Sequence, residues 1–132
     1  MNSAAEPSAT LDTALAHATQ LLATDPALAA EQASEIIRAV GDHPMALLVL
    51  GASHRMRGDV DAALEILRPL ASTQPRSAIA HLELGLTLGR AKQGDQAVAA
   101  LRRAVALKPD LPQAWLALGD HLVANPRSWR LL

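Results

Sequence analysis

The sequence predicts an all-α fold, an α-α superhelix of antiparallel helix pairs with about seven helices. Three observations carry this prediction. Among the 132 residues are 28 alanines and 23 leucines. Both are strong helix formers, and β-branched residues are sparse. Apolar residues recur at helical spacing, as in Leu11, Leu15, Ala18 and Leu22. A register of 34 residues repeats along the chain.

Each element can be justified in order. Residues 1–9 are small and polar and read as a disordered tail. A helix is expected over 10–23. The next, 26–40, begins on Pro26 at its first position, with Asp25 as cap. Helices over 44–57, 60–73, 78–91, 95–107 and 112–124 follow. Pro69 falls inside the fourth, where it should remove one backbone hydrogen bond and bend the helix. Turns are expected at Arg57-Gly58-Asp59 and Gln93-Gly94-Asp95. There Gly can take a positive φ and Asp can cap the next helix. Residues 125–132 break the pattern and read as a C-terminal tail.

The 34-residue register aligns two complete units, 44–77 and 78–111. Identical pairs include Ala46/Ala80, Leu48/Leu82, Leu50/Leu84, Gly51/Gly85, Ala63/Ala97, Leu67/Leu101 and Pro75/Pro109. A third start, a half unit over 112–124, repeats the spacing with Ala114, Leu116, Leu118 and Gly119. A degenerate unit occupies 10–43. Gly51 and Gly85 stand mid-helix, where Gly costs about 1 kcal/mol against Ala. Close helix approach would offset that cost, with Ala63 and Ala97 expected to face the two glycines.

This pattern resembles the tetratricopeptide repeat. The resemblance rests on the large-residue, Leu-Gly, Ala and Pro columns, and Trp115-Leu116-Ala117-Leu118-Gly119 matches closely. The usual tyrosine column holds His54, Leu88 and Leu122. The run from Leu21 through Leu122 further resembles the N-terminal repeat region of bacterial tetratricopeptide-repeat sulfotransferases. In that family a catalytic domain follows the array, and this chain stops at Leu132.

Composition excludes several chemistries. Cys, Phe and Tyr are absent and the net charge is -1. No thiol nucleophile, Cys-ligated zinc or iron–sulfur cluster can form. The charge balance and lack of aromatics argue against a nucleic-acid partner. The start of the chain lacks a basic, then apolar signal, and no apolar run reaches the roughly 18–20 residues of a membrane span. A cytoplasmic, bacterial protein is the expectation. The glycines are scattered, so no phosphate loop is expected. Asp42-His43 and Asp120-His121 are adjacent pairs and point to different helix faces, so no metal site is expected. Glu31 and Glu35 read as a solvated face, and Arg102-Arg103 is too short for a nucleic-acid footprint. No catalytic residue and no cofactor is expected.

The function read from these features is a non-catalytic protein-interaction module. By resemblance to the repeat family, the first helices line a concave groove. Its expected residues are Met45, Leu48, Ala52 and Arg55, then Ile79, Leu82, Leu86 and Arg90, then Gln113, Leu116 and Asp120. Leucines stand where carboxylate-gripping domains carry Lys, Asn and Arg, so the groove suits an apolar helix or extended protein segment. It equally suits self-coverage, by helix 10–23 or a second copy. At the C-terminal end, Trp115, Leu118 and Leu122 are expected to lack a covering second helix. Trp129, Leu131 and Leu132 could cover them, a homodimer could, or the chain could be a truncated piece of a larger enzyme.

Overall fold

The structure is a computed structural model that describes residues 7–124. Among the described residues seven helices run in order: α1 (Pro7–Leu21), α2 (Pro26–Val40), α3 (Pro44–Met56), α4 (Val60–Thr73), α5 (Ala78–Arg90), α6 (Gly94–Leu107) and α7 (Pro112–Ala124). No strand occurs among the described residues. Residues 7–9, expected in the N-terminal tail, begin α1 instead. The remainder of that tail and the segment with Trp129, Leu131 and Leu132 lie outside the described residues.

Local chemistry explains most boundaries. The Asp25 carboxylate accepts from the Leu28 N–H at 3.1 Å, and Pro26 fills the first turn of α2. This satisfies a helix-end donor and presets φ. His43 caps α3 through Nδ1, which accepts from the Met45 N–H at 3.1 Å. Its adjacency to Asp42 therefore serves a helix start. Ser77 caps α5 by accepting from Ala80 N–H.

The two expected Gly-Asp turns differ. Gly58 does adopt a positive φ of 83°. In the next unit Lys92 takes that conformation, at φ 61°, and Gln93 is the N-cap of α6. Gly94 and Asp95 are already helical. The 34-residue register explains this: Lys92 corresponds to Gly58 and Gln93 to Asp59. Position in the repeat decides the turn, and Lys92 accepts a conformation that Gly adopts more easily. Asp59 stands at the N-cap of α4 but makes no side-chain cap bond.

Packing follows the repeat. Successive helices pair, and the first helices of neighbouring units also touch: α1 with α3, α3 with α5, and α5 with α7. Among the described residues the backbones of α2, α4 and α6 stand further apart, and α4 reaches α6 through the side chains of Leu64 and Arg68. The first helices thus form one tier and the second helices a more widely spaced outer tier. The core is a series of clusters that each join neighbouring helices. Leu15, Ala18, Ala33 and Val49 bind α1–α3, Ala63, Leu67 and Ala80 join α3–α5, and Leu82, Val98, Leu101, Leu118 and Leu122 bind α5–α7. Such local burial gives a solenoid stabilised unit by unit.

The glycines allow the close approach that was expected, but against other residues. A Cβ at Gly51 would lie 2.6 Å from a Leu67 methyl, and one at Gly85 would lie 2.7 Å from Leu101 Cγ. Leu67 and Leu101 sit one turn beyond Ala63 and Ala97. They are fully buried, so each leucine fills the space that its glycine leaves. Ala63 and Ala97 are buried too, in the clusters with α5.

Candidate protein-interaction surface

The eleven expected groove residues occupy the tier of first helices but differ in access. Met45, Ile79, Arg90, Gln113 and Asp120 are exposed, and Leu116 keeps 69% of its surface. Leu48 and Leu86 are half-buried. Ala52 and Leu82 retain only 2% and 4% of their surface, so they belong to the core and offer a partner almost nothing. Ala52 follows Gly51 on α3, and Leu82 packs with Val98 and Leu101.

Arg55 is engaged within the chain. Its Nε donates to Glu83 Oε2 at 2.7 Å and its Nη2 to Glu83 Oε1 at 3.2 Å. The two side chains are 12% and 11% exposed. This is a bidentate, charge-assisted pair in a largely dry setting. It joins α3 to α5, and so links first helices of adjacent units. Glu83 carries no weight in the sequence pattern. The signal that could have found it is a lone acid within Leu82-Glu83-Leu84-Gly85-Leu86.

The C-terminal end also differs from expectation. Leu118 and Leu122 are buried against α5 and α6, which supply their cover. Trp115 is half exposed, and its Nε1 donates to the Pro109 carbonyl at 2.7 Å. Leu116 and Val123 are the more open apolar residues there.

Two buried hydroxyls were not anticipated. Ser53 donates to the Pro26 carbonyl and ties α3 to the start of α2, while Thr87, one repeat later, donates to Glu83 O at 2.7 Å. His54 is half-buried, with Nδ1 3.6 Å from Asp59 Oδ2. His121 lies against Gly89, where a Cβ would be 2.7 Å from its Nε2. Gly85-x-x-x-Gly89 is therefore a packing feature. Glu35 pairs with Arg38 on the exposed face of α2. Among the described residues no cluster of His, Asp and Glu could hold a metal ion, and no helix is long and apolar enough to cross a membrane.

Concavities lie elsewhere. One of about 970 Å³ is lined by α1, α2 and α3 residues that include His17, Glu31, Arg38, Leu50 and His54. Another, of about 460 Å³, lies between α4 and α6. Neither is lined by any of the eleven expected residues.

Comparison with solved structures gives the same architecture. MamA residues 41 to the end, from Desulfovibrio magneticus RS-1, matches with a TM-score of 0.76 at 21% identity, over 91% of this chain and 68% of that one. A Thermobaculum terrenum O-GlcNAc transferase mutant matches with a TM-score of 0.82 at 26% identity, over 89% of this chain and 23% of that one. The thermophilic tetratricopeptide-repeat protein TTC0263 of Thermus thermophilus matches with 0.73 at 23% identity, over 86% and 64%. A search of curated proteins finds no match. The tetratricopeptide repeat family model matches residues 19–78, 57–112 and 82–128. With that coverage, the seven-helix array and the 34-residue register, the chain belongs to the tetratricopeptide repeat family.

Proposed function

We propose that the chain is a non-catalytic protein-interaction module whose first-helix face holds an apolar helix or extended segment of a protein partner. The observation that carries the reading is a line of exposed apolar residues, Met45, Ile79 and Leu116, on successive first helices. Solenoids of this kind present extended faces for binding. Arg90, Gln113 and Asp120 border that line and supply polar contacts at its rim. Leu48 and Leu86 add partial apolar surface, while Arg55 acts indirectly by holding α3 against α5.

The test uses a partner isolated with the wild-type chain. Binding should be lost with Met45→Glu and with Leu116→Glu while helicity is unchanged. A photo-crosslinker at Ile79 should capture the same partner. Full binding by both variants rejects this face.

A second reading is favoured by one figure: the chain aligns with 23% of the Thermobaculum transferase. On this reading it is an array belonging to a larger transferase, such as the sulfotransferases its sequence resembles. A catalytic coding region directly downstream supports that reading, and its absence in every frame rejects it.

A further inference from the structure

The outer tier carries a second surface of defined chemistry. A channel of about 460 Å³ runs between α4 and α6, with α5 as its floor. Leu84 and Leu88 lie on the floor, Arg68 and Arg103 flank it, and Ser72, His81 and Gln96 are its other polar groups. No carboxylate lines it. Arg68 is held in place by neutral acceptors, donating to Gln96 Oε1 at 3.1 Å and to Gln93 Oε1 at 3.0 Å. Its charge is oriented there but is not neutralised by an acid.

The complementary surface is on the same chain. Residues 1–66 hold nine acidic and three basic side chains, while residues 67–132 hold four acidic and nine basic. The net charge of -1 hides a molecule with an acidic first half and a basic second half. On α2, Leu28, Glu31 and Glu35 are exposed at i, i+3 and i+7 and form one ridge. Glu35 shares its charge with Arg38, so the ridge offers chiefly Leu28 and the Glu31 carboxylate to an apolar channel between two arginines.

We propose that the Leu28–Glu31–Glu35 ridge of one copy docks into the α4–α6 channel of a second copy, head to tail. Glu31, with Glu35 beside it, meets Arg68 and Arg103, and Leu28 lies over half-buried Leu84. The contact is heterologous, so a pair keeps one free ridge and one free channel and the assembly can extend. Exposed ion pairs are individually weak and are screened by salt. The interface is therefore concentration-dependent and salt-sensitive.

Sedimentation velocity of the full chain tests this, from about 10 μM to about 1 mM and in about 20 mM and about 500 mM NaCl. The expected result is species beyond the dimer at low salt, with apparent affinity at least about tenfold weaker at high salt. Arg103→Glu and Glu31→Arg should each abolish the series with circular dichroism unchanged. Their mixture should restore a 1:1 pair, since it contains one intact ridge and one intact channel. A monomer under every condition overturns the proposal, as does association indifferent to salt. Association that survives both charge reversals but is lost with Trp115→Asp assigns the contact to α7 and also overturns it. So does a monomeric chain that binds a glutamate-rich peptide through Arg103, because the channel then serves another partner.

Discussion

Arg55 and Glu83 form a bidentate ion pair between α3 and α5, with contacts of 2.7 and 3.2 Å and little exposure of either side chain. The pair joins two units that also meet through apolar contacts and through Arg68, which donates to Gln93 and Gln96. Removing one partner strands a charge in a poorly solvated position, and that penalty exceeds the loss of the bond itself. Glu83→Ala should therefore destabilise the chain by about 2–3 kcal/mol in urea unfolding, somewhat below the range for fully buried pairs. Removing both in Arg55→Met/Glu83→Leu should recover much of the loss, giving a coupling energy above about 1 kcal/mol in a double-mutant cycle. Additive losses would show that the two groups act independently.

The glycine columns allow a prediction against helix propensity. Gly85→Ala gains up to about 1 kcal/mol of intrinsic helix preference. Its Cβ would sit 2.7 Å from Leu101 Cγ and 3.3 Å from the Leu101 backbone nitrogen. Leu101 is fully buried and cannot withdraw, so overpacking of about 1–3 kcal/mol should win. Gly89→Ala meets only the ring end of His121, which can rotate away. It should be neutral or slightly stabilising. Thermal unfolding of the two variants separates these outcomes.

Lys92 occupies the left-handed position that Gly58 holds one repeat earlier. A non-glycine residue there costs roughly 1–2 kcal/mol. Lys92→Gly relieves this but gives the unfolded chain more freedom, which offsets part of the gain. A net stabilisation of about 0.5–1 kcal/mol is expected from denaturant midpoints at unchanged slope.

These cases show where the sequence is legible. The bounds expected for the second, fourth and seventh helices, 26–40, 60–73 and 112–124, coincide with α2, α4 and α7. Asp25-Pro26 and Pro112 announce two of those starts chemically. The start of α6 is misread because Gly94 and Asp95 look like a turn, whereas the 34-residue register places the turn at Lys92. Repeat columns identify Gly51, Ala63 and Leu67 but not which of the latter two meets the glycine, since that depends on the helix crossing. Among the groove residues, periodicity places all eleven on first helices but does not separate buried Leu82 from exposed Leu116. Both occupy the same column, and the difference is that Leu82 lies within a cluster drawn from α5, α6 and α7. The Arg55–Glu83 pair spans 28 residues, so only the stacking of α3 on α5 reveals it.

One column still carries a hydrogen bond that residue type alone obscures. Trp115 and His81 are one repeat apart. Trp115 Nε1 donates to Pro109 O at 2.7 Å, and His81 Nε2 lies 3.0 Å from Pro75 O. Since a carbonyl only accepts, His81 must present its Nε2–H. Each ring thus secures the proline that closes the preceding unit. Leu47, in the same register, has no polar hydrogen to offer. Trp115→Phe keeps the ring body but loses the donor, and should cost about 0.5–1 kcal/mol, as for a partly exposed neutral bond. His81→Trp should preserve stability within about 0.5 kcal/mol, because its indole N–H can reach the same carbonyl. His81→Phe should lose as much as Trp115→Phe. If His81→Trp destabilises as much as His81→Phe, the column is set by shape rather than by the donor.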